Sequence, residues 1–196
     1  MKILSKLSLL MVLFLLAGGG CVVRSLHPLY TNKDLVFDPA LLGEWTPKDS
    51  NASWTFTKRS EKQYTVVVHS NEDNQKAVFI GHLARINGVL FLDIVPDGSA
   101  REGDPYDGTM LPVHLFARVL RIQPTLQVAL LNVGWLEEHL KENPAAIKHE
   151  KVKDADVEGD QIVLTASSED LQRFLIAHLK TTGAFHEPME FTRPKK

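Results

Sequence analysis

The sequence predicts a mainly β protein with a minor helical part: an antiparallel β-barrel or half-barrel carrying two amphipathic helices. Three observations lead there. Short segments from Leu41 onward alternate apolar and polar residues with period two. One pair of them is joined by an Asn-Gly turn, and only two stretches carry a helical apolar stripe.

In chain order, the first element is a leader. Met1 to Lys6 holds two lysines and no acid, and Leu7 to Leu16 is almost unbroken apolar, the charged start and greasy middle of a secretory signal. Ten helical residues rise only about 15 Å, half a bilayer core, so a permanent span is not expected. The small residues Ala17 to Gly20 follow, and then Cys21, the single cysteine. On these residues the chain resembles bacterial lipoproteins, whose signal is cut before a cysteine that carries acyl chains. The resemblance implies residues 1–20 as signal peptide and Cys21 as the lipidation site. It also implies export and anchoring to a bacterial membrane, at the periplasmic face of the outer membrane if the cell is Gram-negative. One departure stands out: Gly18 lies three positions before the cysteine, where that family usually has leucine, and Leu16 is two positions further back. An ordinary cleaved signal and an uncleaved anchor are the alternatives. Cysteine usage fits acylation, because an exported chain with one thiol cannot form an internal disulfide.

Cleavage before Cys21 leaves twenty basic against twenty-four acidic side chains, which implies no nucleic-acid partner. Residues 21–40 then form the lipidated N-terminus and a tether. Its Leu26, Leu29, Tyr30, Leu35 and Phe37 are too greasy for a free linker and are expected to dock on the domain. Residues 41–196 form a single domain.

Within that domain, Trp54 and Phe56 alternate with Ser53, Thr55 and Thr57, and Tyr64, Val66 and Val68 with Thr65 and His69. Lys76–Arg85 and Val89–Val95 form a hairpin about Asn87-Gly88. Leu111–Ile122 and Thr125–Leu131 are longer apolar strands split by Gln123-Pro124. Leu115, Phe116, Val119 and Leu120 place apolar groups on both faces, so at least one strand here is expected to be buried on both sides. Ile147–Val152, Gln161–Thr165 and Met189–Thr192 add further strands. The first helix, Val133–Asn143, turns Trp135, Leu136, His139 and Leu140 to one side before Pro144. The second begins at a Ser167 cap with Glu169 and Asp170 in its first turn. Leu171, Phe174, Leu175, His178 and Leu179 form its face, and Gly183 is its expected stop.

The opening LLGEWT, Leu41 to Thr46, resembles the start of lipocalin and calycin barrels, which have Gly-x-Trp before the first strand. The resemblance implies a lipocalin-like barrel plugged at one end by Gly43 and Trp45, with Arg193 of MEFTRP stacked on the indole. Only these positions carry it: no second lipocalin motif is present, and there are two helices where that family usually has one.

No nucleophile elbow, phosphate loop, dinucleotide fingerprint or two-histidine metal spacing occurs, so neither a cofactor nor a metal is expected. The pairs His149-Glu150, His186-Glu187 and Glu137-Glu138-His139 match no metal pattern. His82 and His114 fall in strands. The loop Pro96–Gly108, with Asp97, Glu102, Asp104 and Asp107, lacks a regular calcium-loop series.

Three functions fit. One is a lipid-anchored barrel holding a small apolar ligand against Trp54, Phe56, Tyr64, Phe79, Phe91 and Phe116. The second is an envelope interaction or assembly protein whose barrel is filled by its own side chains. The third is an enzyme using His82, His114 or the acidic loop. The expectation is a non-enzymatic role, with ligand binding ahead of protein interaction; a cavity of several hundred cubic ångströms is the discriminating feature.

Overall fold

A computed structural model describes residues 22–48, 50–70, 74–98, 111–153 and 160–194. The leader, Cys21 and the acidic-loop residues Glu102, Asp104 and Asp107 lie outside the described residues.

The described strands are β1 (Arg24–Ser25), β2 (Leu35–Val36), β3 (Gly43–Pro47), β4 (Ala52–Lys58), β5 (Tyr64–Ser70), β6 (Lys76–Ile86), β7 (Val89–Pro96), β8 (Leu115–Arg121) and β9 (Leu126–Leu130). Helix α1 (Val133–Glu142), β10 (His149–Lys153), β11 (Asp160–Leu164), helix α2 (Ser168–Ala177) and β12 (Met189–Thr192) follow. Eight strands close on themselves in the order β6-β5-β4-β3-β12-β9-β8-β7, with β7 returning to β6. Every pairing around this ring is antiparallel. Closure leaves no free edge in the ring.

The β6–β7 hairpin turns at Asn87 (φ 48°) and Gly88 (φ 82°), both in the left-handed region that a two-residue primed turn requires. Pairing β3 directly to β9 would leave no place for the last strand. Instead β12 slots between them, bonding Phe191 to Pro47 on one side and to Leu126 on the other. The expected Leu111–Ile122 strand starts only at Leu115, and Leu111 is exposed. Pro112 lacks an N–H to extend the ladder at that end.

The alternation expected along the strands builds the inner core. Trp45, Trp54, Val68 and Ala77 sit in register across β3, β4, β5 and β6, and Phe56, Val66 and Phe79 form the next rung. Leu92, Ile94, Leu115, Ala117, Val119, Leu126, Val128 and Phe191 complete the interior. A second core covers the outside of the barrel. Ala84, Ile86, Phe91 and Phe116 point outward from β6, β7 and β8 and meet Leu136 and Leu140 of α1 and Leu171, Phe174 and Leu175 of α2. A small sheet in the order β1-β11-β10 supplies Ile162 and Leu164 to the same layer. Strands β6 to β8 are thus buried on both faces, although Leu120 is exposed.

The first helix begins at Val133 and the second directly after its Ser167 cap, as the sequence predicts. The Asn132 side chain accepts from the Trp135 N–H, and the Ser167 side chain from the Asp170 N–H. Helix α2 ends at Ala177, short of Gly183, whose φ of 80° belongs to the following turns.

Residues 22–38 are part of the fold. Strand β1 pairs parallel with β11, and Ser25 bridges His114. Strand β2 lies beside β6 at Leu83 and Ala84, just where β5 has run out at Gly81. Of the expected docking residues, Leu29 is fully buried, Tyr30, Leu35 and Phe37 are half-buried, and Leu26 stays exposed.

Candidate functional site

One end of the barrel is closed by the residues that the Gly-x-Trp opening pointed to. The turn of 3-10 helix at Pro39–Leu41 leads into β3, and Trp45, fully buried, donates its indole N–H to the Leu41 carbonyl at 2.8 Å. The Arg193 guanidinium lies 3.7 Å from the centre of the Trp45 ring. It also donates to the carbonyls of Leu42 (2.6 Å) and Ala40 (2.8 Å). Gly43 has φ 101°, and a Cβ there would stand 2.5 Å from Arg193 Nη1. The position therefore requires glycine both for its backbone angle and for the space the arginine occupies. Phe37 stacks on Tyr64 at 4.7 Å, and the Tyr64 hydroxyl donates to the Asp38 carbonyl and accepts from the Asp38 N–H. Burial, with the nearby Asp38 charge and despite its backbone hydrogen bond, pushes the Tyr64 phenol up to about 12.

Toward the other end, where β3 and β5 finish and β4, β6 and β8 begin, the side chains leave a cavity of about 60 Å³. By this measure an enclosed water needs about 10–15 Å³, so there is room for a few waters or a thin apolar chain. Drug-sized ligands sit in pockets of roughly 300–1,000 Å³, well above this. Its lining is apolar throughout: Trp54, Phe56, Phe79 and Phe116 border it, with Val68, Ile94, Leu115, Val128, Met189 and Phe191 among the others. Val22, the residue after Cys21, also borders it. Two of the six aromatic residues expected in such a lining lie elsewhere. Tyr64 belongs to the closed end, and Phe91 faces the outer core because its position in β7 has the opposite parity to Leu92 and Ile94. Phe116 is a member of the outer core that also reaches the cavity wall. Among the described residues, Trp54 Nε1 is the buried side-chain polar atom without a hydrogen-bond partner. An unsatisfied buried donor of this kind costs about 1–3 kcal/mol.

The histidines singled out from sequence face the other way, into a polar network under residues 22–34. Asp93, fully buried, stands opposite His82 in the β6–β7 register. Its carboxylate accepts from the Leu29 N–H at 2.8 Å and lies 2.7 Å from His114 Nδ1. His82 Nδ1 is 3.0 Å from the Tyr30 hydroxyl and its Nε2 3.1 Å from Gln63 Nε2. Burial lowers the His82 pKa, and His114 adds to the effect while Asp93 opposes it. Burial, with Asp93 beside it, pushes the Tyr30 phenol up to about 12. From the helix side, Ser168 donates to the Pro28 carbonyl, and Gln172 donates to the Leu29 carbonyl and the Asp34 carboxylate. His82 and His114 are therefore tied into a clamp on the N-terminal segment.

Asp97 of the acidic loop is nearly buried and pairs with Arg59 at 2.5 Å. Among the described residues, no group of three or more His, Cys, Asp or Glu side chains is arranged to hold a metal ion, and no helix is long and apolar enough to cross a membrane. The residues that sequence reading missed are Asp93 and Gln172. A lone acid inside the apolar run LFLDIV was a visible signal of a buried, partnered carboxylate; Gln172 carried none. The chain matches no protein-family model, no curated protein and no solved structure.

Proposed function

We propose that the protein is an exported lipoprotein held on a bacterial membrane through acylated Cys21, whose barrel receives a single apolar chain. The observation that carries the ligand reading is the cavity itself, walled by apolar side chains inside the closed barrel. Small barrels fill themselves with side chains, so unfilled apolar space inside one is a feature to explain. Its modest size favours an unbranched chain over a ring system. The placement of Val22 at the cavity border supports the same reading, because it brings the residue next to the proposed acylation site beside the cavity. Two or three acyl chains at Cys21 would hold the protein durably on a bilayer, whereas one holds weakly. Membrane fractionation tests the anchor: Cys21→Ser is expected to release the protein, and unchanged recovery with membranes after alkaline washing would contradict it.

A second reading has its own support. At about 60 Å³ the cavity falls short of the several hundred cubic ångströms expected of a ligand-holding barrel, and that shortfall favours the filled-barrel reading. On this view the barrel is filled, and the outer surface meets another envelope component. Native mass spectrometry separates the two, since only the first expects a copurifying small molecule.

A further inference from the structure

We infer that the chain received by the barrel is uncharged and carries one hydrogen-bond acceptor, such as an ester, ether, carbonyl or hydroxyl oxygen, that is met by Trp54 Nε1. The inference rests on the proposal that the barrel binds an apolar chain, and it specifies the chemistry of that chain. Two tryptophans stand side by side on β3 and β4, paired in register. Trp45 has its indole N–H satisfied by the Leu41 carbonyl. Trp54 lines the cavity with its indole N–H buried and unpaired. An indole nitrogen only donates, so whatever satisfies it must accept. Its ring neighbours are Phe56 and Phe191, the latter approaching edge-on at 5.8 Å, and neither offers an oxygen.

The same wall argues against a charged head inside. Among the described residues, the lining holds no lysine, arginine or histidine. Arg193 is engaged over Trp45 at the closed end, and His82 and His114 lie in the outer network. A carboxylate drawn into the cavity would lose its water without gaining a counter-charge. A neutral oxygen part-way along or at the end of an alkyl chain loses far less and gains the waiting donor.

The test uses the full mature chain with Cys21→Ser, labelled with ¹⁵N-tryptophan, and three probes built on the same ten-carbon chain: decane, methyl decanoate and decanoate. Methyl decanoate is expected to bind at least tenfold more tightly than decane and than decanoate. It should also move the indole N–H resonance that is missing from Trp54→Phe, while decane leaves that resonance near its free position. Trp54→Phe should bind both neutral probes with equal affinity. If decane and methyl decanoate both bind but with equal affinity, or if Trp54→Phe keeps the preference, the barrel binds chains and the acceptor inference is wrong. If no probe binds, the ligand-holding reading itself falls and takes this inference with it.

Discussion

The inner and outer cores of this protein use the same apolar residue types but treat polar groups in opposite ways. In the outer core, between strands β6 to β8 and the helices, polar groups are buried in quantity and bonded: Asp93 meets Leu29 and His114, and His82 meets Tyr30 and Gln63. Inside the barrel polar groups are few, and the indole of Trp54 has no partner. Buried polar groups that are fully bonded fix one geometry, whereas one left open costs stability. The outer layer therefore holds residues 22–34 against the barrel, and the inner cavity is where the proposed ligand would sit.

That contrast can be broken at several points. Trp45→Ala removes the largest fully buried side chain, at the closed end, and is expected to destabilise the protein by about 3–5 kcal/mol in denaturant unfolding; a near-neutral shift would remove Trp45 from the core. Asp93→Ala strands the Leu29 N–H and a His114 ring nitrogen, with an expected loss of about 2–4 kcal/mol. It should also raise amide exchange across residues 25–34 ahead of the inner strands, and uniform exchange would show that the clamp is not local. Gly43→Ala puts a Cβ against Arg193 and strains a φ of 101°, at about 1–3 kcal/mol. Arg193→Ala leaves the glycine free but uncovers the Trp45 face, and about 0.5–2 kcal/mol is expected from the lost stacking. Should Arg193→Ala cost more than Trp45→Ala, the plug would be working through the arginine's carbonyl bonds instead.

The smallest effect is the pH dependence of the outer layer. Burial lowers the pKa of His82, and burial followed by the neighbouring His139 lowers that of His178 in the α1–α2 ring cluster. For a base whose folded pKa lies below its unfolded value, the unfolded chain takes up the proton first as pH falls. Stability should then be full above the ordinary histidine value of 6.5 and decline as pH drops through it toward the folded values. Asp34 acts in a separate, lower window. Burial alone would raise its pKa, but hydrogen bonds from Thr31 and Gln172 and the charge of Lys33 bring it below 3.8, so its contribution is lost only in stronger acid. A stability curve flat between pH 7 and 5 would show that neither histidine is held neutral by the fold.

Much of the architecture was legible in the chain because it is written locally. Asn87-Gly88 specifies its hairpin by backbone angle, Ser53 to Thr57 specifies a strand by alternation, and Gly43-x-Trp45 marked the closed end, with Arg193 named as the residue to cover it. The cavity wall was half legible for a physical reason. In β7, Leu90 to Ile94 are apolar on both sides of the strand except at Asp93, so period two gives no parity, and Phe91 was assigned to the interior when it faces the helices. Tyr64 has the inward parity expected of it, but its height along the barrel, set by register and the closing turn, puts it at the plug. The insertion of β12 between β3 and β9, and the hold of Gln172 on the Leu29 carbonyl, join positions distant in sequence through backbone atoms, which side-chain patterns do not encode.

The most direct trial of the account is native mass spectrometry of the protein extracted from its own membranes, read together with the mass of the stripped chain. The account predicts a polypeptide that begins at Cys21 and carries acyl chains there, released with one additional neutral small molecule of alkyl character. A bare polypeptide with a different start, or an acylated one whose barrel leaves the membrane empty in every preparation, would contradict it.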